Sequence, residues 1–240
     1  MRTDESTGPG ENASADVEGL DGTGSDMSRI ISISDGVFAF SLTFLVIDLV
    51  LPQRAASGSY PNLASYLAGE WPAVIAYVLS FFIIASWWSA HRRLFSPIIR
   101  YDRTLVRLNS VFLMIIAVTP FLVGILLDYG AGATLGPGSA SSRLAVALYA
   151  SVQTVGGLIL LAIWRHSTHG HRLVRRLLPE AWIRSTENSE FITVAVFAIT
   201  VSIAFVAPFV AELLWIIVIV GVRHVLRKHR PTHGDTARPP

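Results

Sequence analysis

From Ile30 to Val50 the chain is almost wholly apolar. At about 1.5 Å of rise per residue, a helix of that length crosses the roughly 30 Å hydrocarbon core of a bilayer. The segment therefore predicts a membrane-spanning helix, and it constrains everything around it. It carries Ser32, Ser34, Asp35, Ser41, Thr43 and Asp48, whereas a helix that only anchors a protein in lipid has no reason to tolerate two carboxylates. Those groups require partners on other helices, or water.

At about 100° per residue, Arg29, Ile33, Gly36, Phe40, Thr43, Phe44 and Ile47 share one stripe of this helix, and Asp35 falls well off it. Bulky apolar residues one turn apart, interrupted by a single hydroxyl, would form a narrow hydrophobic constriction if several copies faced a common axis. The same stripe could equally pack on neighbouring helices, the usual fate of an apolar face. The segment alone supports both.

The rest of the chain is of the same kind. Of its 240 residues 52% are hydrophobic and only 15% charged, against about a quarter in soluble domains, which indicates a polytopic, all-α membrane protein. There are no cysteines, so disulfides and thiolate metal sites are excluded. The net charge of +2 conceals an asymmetry: residues 1–28 hold seven acids against Arg2, a net −6, and the remainder carries +8. Residues 1–28 contain few large apolar side chains and are expected to form a disordered acidic tail.

Further apolar spans run over residues 71–90, 108–127 and 144–164, the last with Gly156-Gly157 to permit close helix approach. Residues 191–222 are apolar apart from Glu212, and as one helix they would be about 48 Å long, too long for a straight crossing. Ala207-Pro208 is the natural turn between two shorter spans. Arginines cluster between spans two and three, between four and five, and after the last, while the alternate loops hold only Arg54 and Arg143. The positive-inside rule then gives six helices with both termini cytoplasmic, and makes lipid, not nucleic acid, the partner of the basic residues. His166, His169 and His171 resemble a metal cluster, but no Cys or carboxylate completes it in the sequence, and a basic membrane-facing loop is the better reading. No serine lies in a nucleophile-elbow context and no phosphate-cradling glycine motif occurs, which argues against an enzyme.

The pattern R-x-x-x-I-S-D-G at Arg29 and Ile33 to Gly36 resembles the R-x-x-x-F-S-D-G signature of the bacterial transmembrane protein 175 family of potassium channels, with Ile33 in place of Phe. A second block, Trp88, His91, Phe95, Asp102, Asn109 and Pro120-Phe121, is similar to that family's W-x-x-H…F…D…N…PF pattern. The resemblance implies a six-helix subunit that assembles as a homotetramer in the cell membrane, with a pore lined by the first helix. It places the pore constriction on Phe40, Phe44 and Ile47 and a pore hydroxyl on Thr43. Two of those constriction positions are Phe where the family usually carries Ile or Leu. It further implies a signature and gating network of Arg29, Ser34, Asp35, Gly36, Trp88, His91, Asp102 and Asn109. The domains implied are the tail 1–28, a channel domain over 29–226 and a basic, disordered C-terminal tail over 227–240. The expected function is a potassium-selective or weakly selective cation channel, with no cofactor, potassium as the permeant ion, and itself and the lipid bilayer as partners. The alternative is a secondary transporter coupled to protons or cations through Asp35 or Asp48.

Overall fold

The computed structural model describes residues 24–50, 64, 71–129, 138–175 and 177–216, without the side chains of 24–25, 48–50 and 71–73. Helix α1 spans Gly24–Val50, α2 Trp71–Phe95, α3 Arg103–Tyr129, α4 Ala140–Thr168 and α5 Glu180–Ala204. Residues 208–216 begin a sixth helix, α6, whose continuation lies outside the described residues. Five of these helices are long and apolar enough to cross a membrane. The described residues contain no strand, only an isolated antiparallel bridge between Ile98 and Val174.

Each helix outruns its apolar window by polar turns. Asp102 caps α3, its Oδ1 accepting from the Leu105 N–H at 2.8 Å, and Ser139 caps α4 by accepting from Ser142 N–H at 3.0 Å. Helix α5 starts at Glu180 rather than near Phe191, and α2 runs on through His91, Arg92 and Arg93 to Phe95 instead of ending at them. Helix α1 starts at Gly24, so residues 24–28 belong to the helix and not to the tail assigned to 1–28: Asp26 complements its N-terminal dipole, and Met27 is buried. Residues 1–23 and 227–240 lie outside the described residues.

The turn at Ala207-Pro208 is formed. Helix α5 stops at Ala204 and the chain resumes as helix at residue 208, Pro208 entering where its missing N–H costs nothing. Thr200 and Trp215, placed symmetrically about that turn, meet through a Trp215 Nε1–H bond to Thr200 Oγ1 of 3.2 Å, so α6 folds back along α5. Trp215 also lies against Tyr149 of α4, with ring centroids 4.6 Å apart.

The loop connections sort to two ends. Ile99 N–H donates to Leu173 O at 2.9 Å and Arg175 N–H to Pro97 O at 3.2 Å, which ties the α2–α3 loop to the α4–α5 loop. The α3–α4 connection lies at the other end, where Gly138, at φ +62°, lies under Pro208 of the α5–α6 turn. The two basic loops therefore share one end of the bundle, as the alternation of charge requires.

Helix α4 is the most buried span and α1 the least. A Cβ on Gly157 would stand 2.8 Å from Val194 Cγ2 and 3.1 Å from Trp87, and one on Gly156 3.2 Å from Ile115 Cγ2. These glycines let α4 approach its neighbours closely. Gly157→Val is expected to cost roughly 1–3 kcal/mol by overpacking and to lower the thermal midpoint of the solubilised protein. Gly36→Ala should not lower it, because nothing in the subunit lies within 4 Å of that position and alanine is the better helix former. Equal midpoints for both variants would refute this account of the α4 contacts.

Candidate functional site

Helix α1 divides into two faces. Met27, Ser34, Phe38, Ser41 and Leu45 are buried against α2 and α3, whereas Arg29, Ile33, Gly36, Phe40, Thr43, Phe44 and Ile47 are all exposed. Ile33 is 65% exposed, Phe40 57%, Phe44 41% and Ile47 41%. The stripe read from the helical period is thus the face of α1 that the described helices of the subunit leave uncovered. Phe40 and Phe44 lie ring against ring, 4.1 Å between centroids. Thr43 donates its hydroxyl proton to its own helix, 2.7 Å from Phe40 O and 3.1 Å from Ala39 O. Its oxygen lone pairs remain on the exposed face.

Behind this face runs a directed chain of hydrogen bonds. The Ser34 hydroxyl donates to Ile30 O at 2.8 Å, so it can only accept from Asn109 Nδ2, 3.1 Å away. That orientation turns Asn109 Oδ1 toward His91 Nε2 at 3.0 Å, which must donate. All three residues are buried, and the chain joins α1, α3 and α2. The His91 ring stacks on Phe95 and Phe112, with centroids 4.1 and 5.8 Å away, and meets the edge of Phe38.

Asp35 belongs to a second group. Trp88 Nε1 donates to its Oδ1 at 2.8 Å, and Arg92 stands 4.0 Å from Oδ2 while lying over the Trp88 ring at 5.3 Å. Arg29 takes no part in it, being paired with Asp26 at 3.9 Å on the helix surface. Asp35→Ala should leave the Trp88 N–H without its acceptor and cost about 1–3 kcal/mol. Asp35→Asn keeps an acceptor oxygen and should cost less than about 1 kcal/mol, the usual scale of an exposed ion pair. Thermal midpoints of the two variants decide the matter, and equal losses would refute the role given to Trp88.

Asp102 is a third centre, separate from the other two. Besides capping α3 it holds His166 Nε2 at 2.8 Å and Arg172 at 3.7 Å. Burial alone would raise its carboxyl, but the Leu105 N–H, His166 and Arg172 outweigh it and hold the group below the ordinary aspartate range. The expected single network is therefore divided into Ser34–Asn109–His91, Asp35–Trp88–Arg92 and Asp102–His166–Arg172. The three histidines are drawn apart, for Asp102 holds His166 and Glu180 holds His171 at 3.1 Å. One carboxylate thus meets each of two of them, Asp102 from 64 positions away and Glu180 from nine, and among the described residues no three metal-ligating groups converge.

One buried ion pair escaped the sequence reading. Arg93 of α2 bonds Glu190 of α5, both almost wholly buried. Its only sequence signal is an acid directly before an apolar run, which within a membrane helix implies a partner. Gln153 likewise receives the Trp87 indole N–H at 3.1 Å.

A bundle of long apolar helices with buried polar ties and exposed apolar side chains on its outer faces defines a multi-pass membrane protein. Residues 29–120 match the family described as endosomal/lysosomal potassium channel TMEM175. A potassium channel of Streptomyces collinus is 31% identical over 182 residues, 76% of this chain and 84% of that one. A potassium channel of Chamaesiphon minutus is 31% identical over 150 residues, 62% and 70% of the two chains. The crystal structure of a lysosomal potassium-selective channel TMEM175 homolog from Chamaesiphon minutus superposes with a TM-score of 0.70 at 22% identity, covering 86% of this chain and 100% of that one. The chain belongs to the TMEM175 family, which is a family of ion channels and not of enzymes.

Proposed function

We propose that this chain forms a potassium-permeable channel whose pore is the shared axis of four subunits, each presenting the stripe Arg29 to Ile47 of α1. The observation that carries this reading is the uncovered stripe itself. From Ile33 to Ile47 it is apolar apart from the Thr43 hydroxyl, and it lies on the span with the least internal packing among the described residues. Phe40, Phe44 and Ile47 would form the narrow neck, with Thr43 supplying the hydroxyl ring. Gly36 supports the same view, because no neighbour within the subunit limits the size of its side chain. Its smallness would serve the approach of other copies to the axis.

The basic loops lie at the end of the bundle where α1 begins, which by the positive-inside rule is the cytoplasmic side. Asp35, one of the two carriers that the transporter alternative needs, accepts from Trp88 and lies 4.0 Å from Arg92. The side chain of Asp48 lies outside the described residues. Reconstitution into liposomes tests the proposal: purified protein should pass potassium down its gradient without a co-substrate and should have the mass of a tetramer in detergent. Conduction by a monomer would overturn the shared axis, and a required co-substrate would overturn the channel.

A further inference from the structure

At the end of the bundle where α1 starts, Asp26, Asp35, Asp102, Glu180, Glu187 and Glu190 each already face an arginine or histidine. Four arginines there remain over. Arg103 and Arg107 on the first turns of α3, Arg175 in the α4–α5 loop and Arg184 on the first turn of α5 are exposed and have no carboxylate partner among the described residues. Through the Pro97–Arg175 and Leu173–Ile99 bonds they belong to one tied surface. The start of α1 at Gly24, which residues 1–23 precede in the sequence, lies at this same end, because Ser34 and Asp35 on α1 meet the last turns of α2 and the first turns of α3. Those 23 residues carry six acids against Arg2, a net −5.

We propose that the acidic segment 1–23 docks on the Arg103, Arg107, Arg175 and Arg184 surface of its own assembly and supplies the counter-charge that the folded bundle lacks. The charges are opposite in sign and nearly equal in number, −5 against +4. An extended segment of this length reaches at most about 80 Å, so every arginine of this end lies within its range. Tethering makes the contact intramolecular, with an effective concentration in the millimolar range, so weak ion pairs suffice. Since each pair is exposed, the docking is sensitive to salt: screening acts over roughly 10 Å at 0.1 M and about 3 Å at 1 M. Anionic lipid headgroups have the same chemistry as the segment and compete for the same arginines.

The chain contains no cysteine, so a spin-label pair at Ser14→Cys and Ser96→Cys can be introduced cleanly, Ser96 being exposed and adjacent to the Pro97–Arg175 contact. The full chain is measured in phosphatidylcholine nanodiscs and in nanodiscs that also contain phosphatidylglycerol, with labelled chains diluted in unlabelled ones. A short-distance population is expected at low salt, lost at 1 M salt and lost when the four arginines are changed to Gln in a protein of unchanged assembly size. Persistence of that population in the four-Gln variant would overturn the proposal. Its loss only on neutralising Arg227, Lys228 and Arg230 would assign the segment to the C-terminal bases and overturn it equally. If neither membrane shows more short distances at low salt than at high salt, the arginines are held by lipid or by water, and the proposal fails.

Discussion

Phe40→Asn and Phe44→Asn are each expected to raise potassium flux through reconstituted protein by on the order of tenfold or more. An ion in a narrow apolar neck sheds water and receives no ligand in exchange, and each 1.4 kcal/mol removed from such a barrier is about tenfold in rate. Four copies of an amide in place of four phenyl rings would wet the neck. The rings are 57% and 41% exposed in the subunit and pack on each other, so each change loses that ring contact and touches no buried core residue. Stability of the isolated subunit should therefore fall only slightly. Val46 lies about 100° away from the stripe and serves as the control, for Val46→Asn should alter flux far less. Unchanged flux in assembled Phe40→Asn and Phe44→Asn proteins would place the conduction path elsewhere.

The largest loss of stability is expected at Glu190. Its carboxylate is buried between α2 and α5 and holds Arg93, whose Nε and Nη1 have no other partner among the described residues. Glu190→Ala leaves a guanidinium buried and uncompensated, at a cost of about 3–5 kcal/mol. That is a large part of a typical domain's stability of roughly 5–15 kcal/mol, so folded yield and thermal midpoint should both fall sharply. Removing both charges together, as Arg93→Met with Glu190→Leu, should recover most of the loss, because desolvation of the pair offsets much of its attraction. A double variant no better than Glu190→Ala would show that the pair does more than neutralise itself.

The network expected from the sequence held both Asp35 with Trp88 and Ser34 with His91 and Asn109, which the fold brings together, but it also held Arg29 and Asp102, which the fold pairs elsewhere. Spacing placed Arg29 within two turns of Asp35, but the indole of Trp88 and the guanidinium of Arg92, from another helix, occupy that carboxylate. Asp102 was grouped with His91 and Asn109, whereas the fold gives it to His166, 64 positions away. The helix limits were short by about one turn at most ends and by about three at the start of α5, because apolar windows end where charge begins, while helices continue through capped and paired polar turns.

By itself the sequence determined that this is a helical membrane protein, where the chain turns at Ala207-Pro208, which loops share an end, and which residues of α1 form one stripe. These follow from local quantities: apolar length against bilayer thickness, proline's missing donor, the count of arginines per loop and the helical period. Only the tertiary structure decided which face of α1 stays uncovered and which base each acid holds. The period fixes a residue's angle on its own helix, but the rotation of that helix depends on how its neighbours pack. Here that packing is set by contacts such as Phe38 against Phe112 and Gly157 against Val194, and by the Arg93–Glu190 pair 97 positions apart.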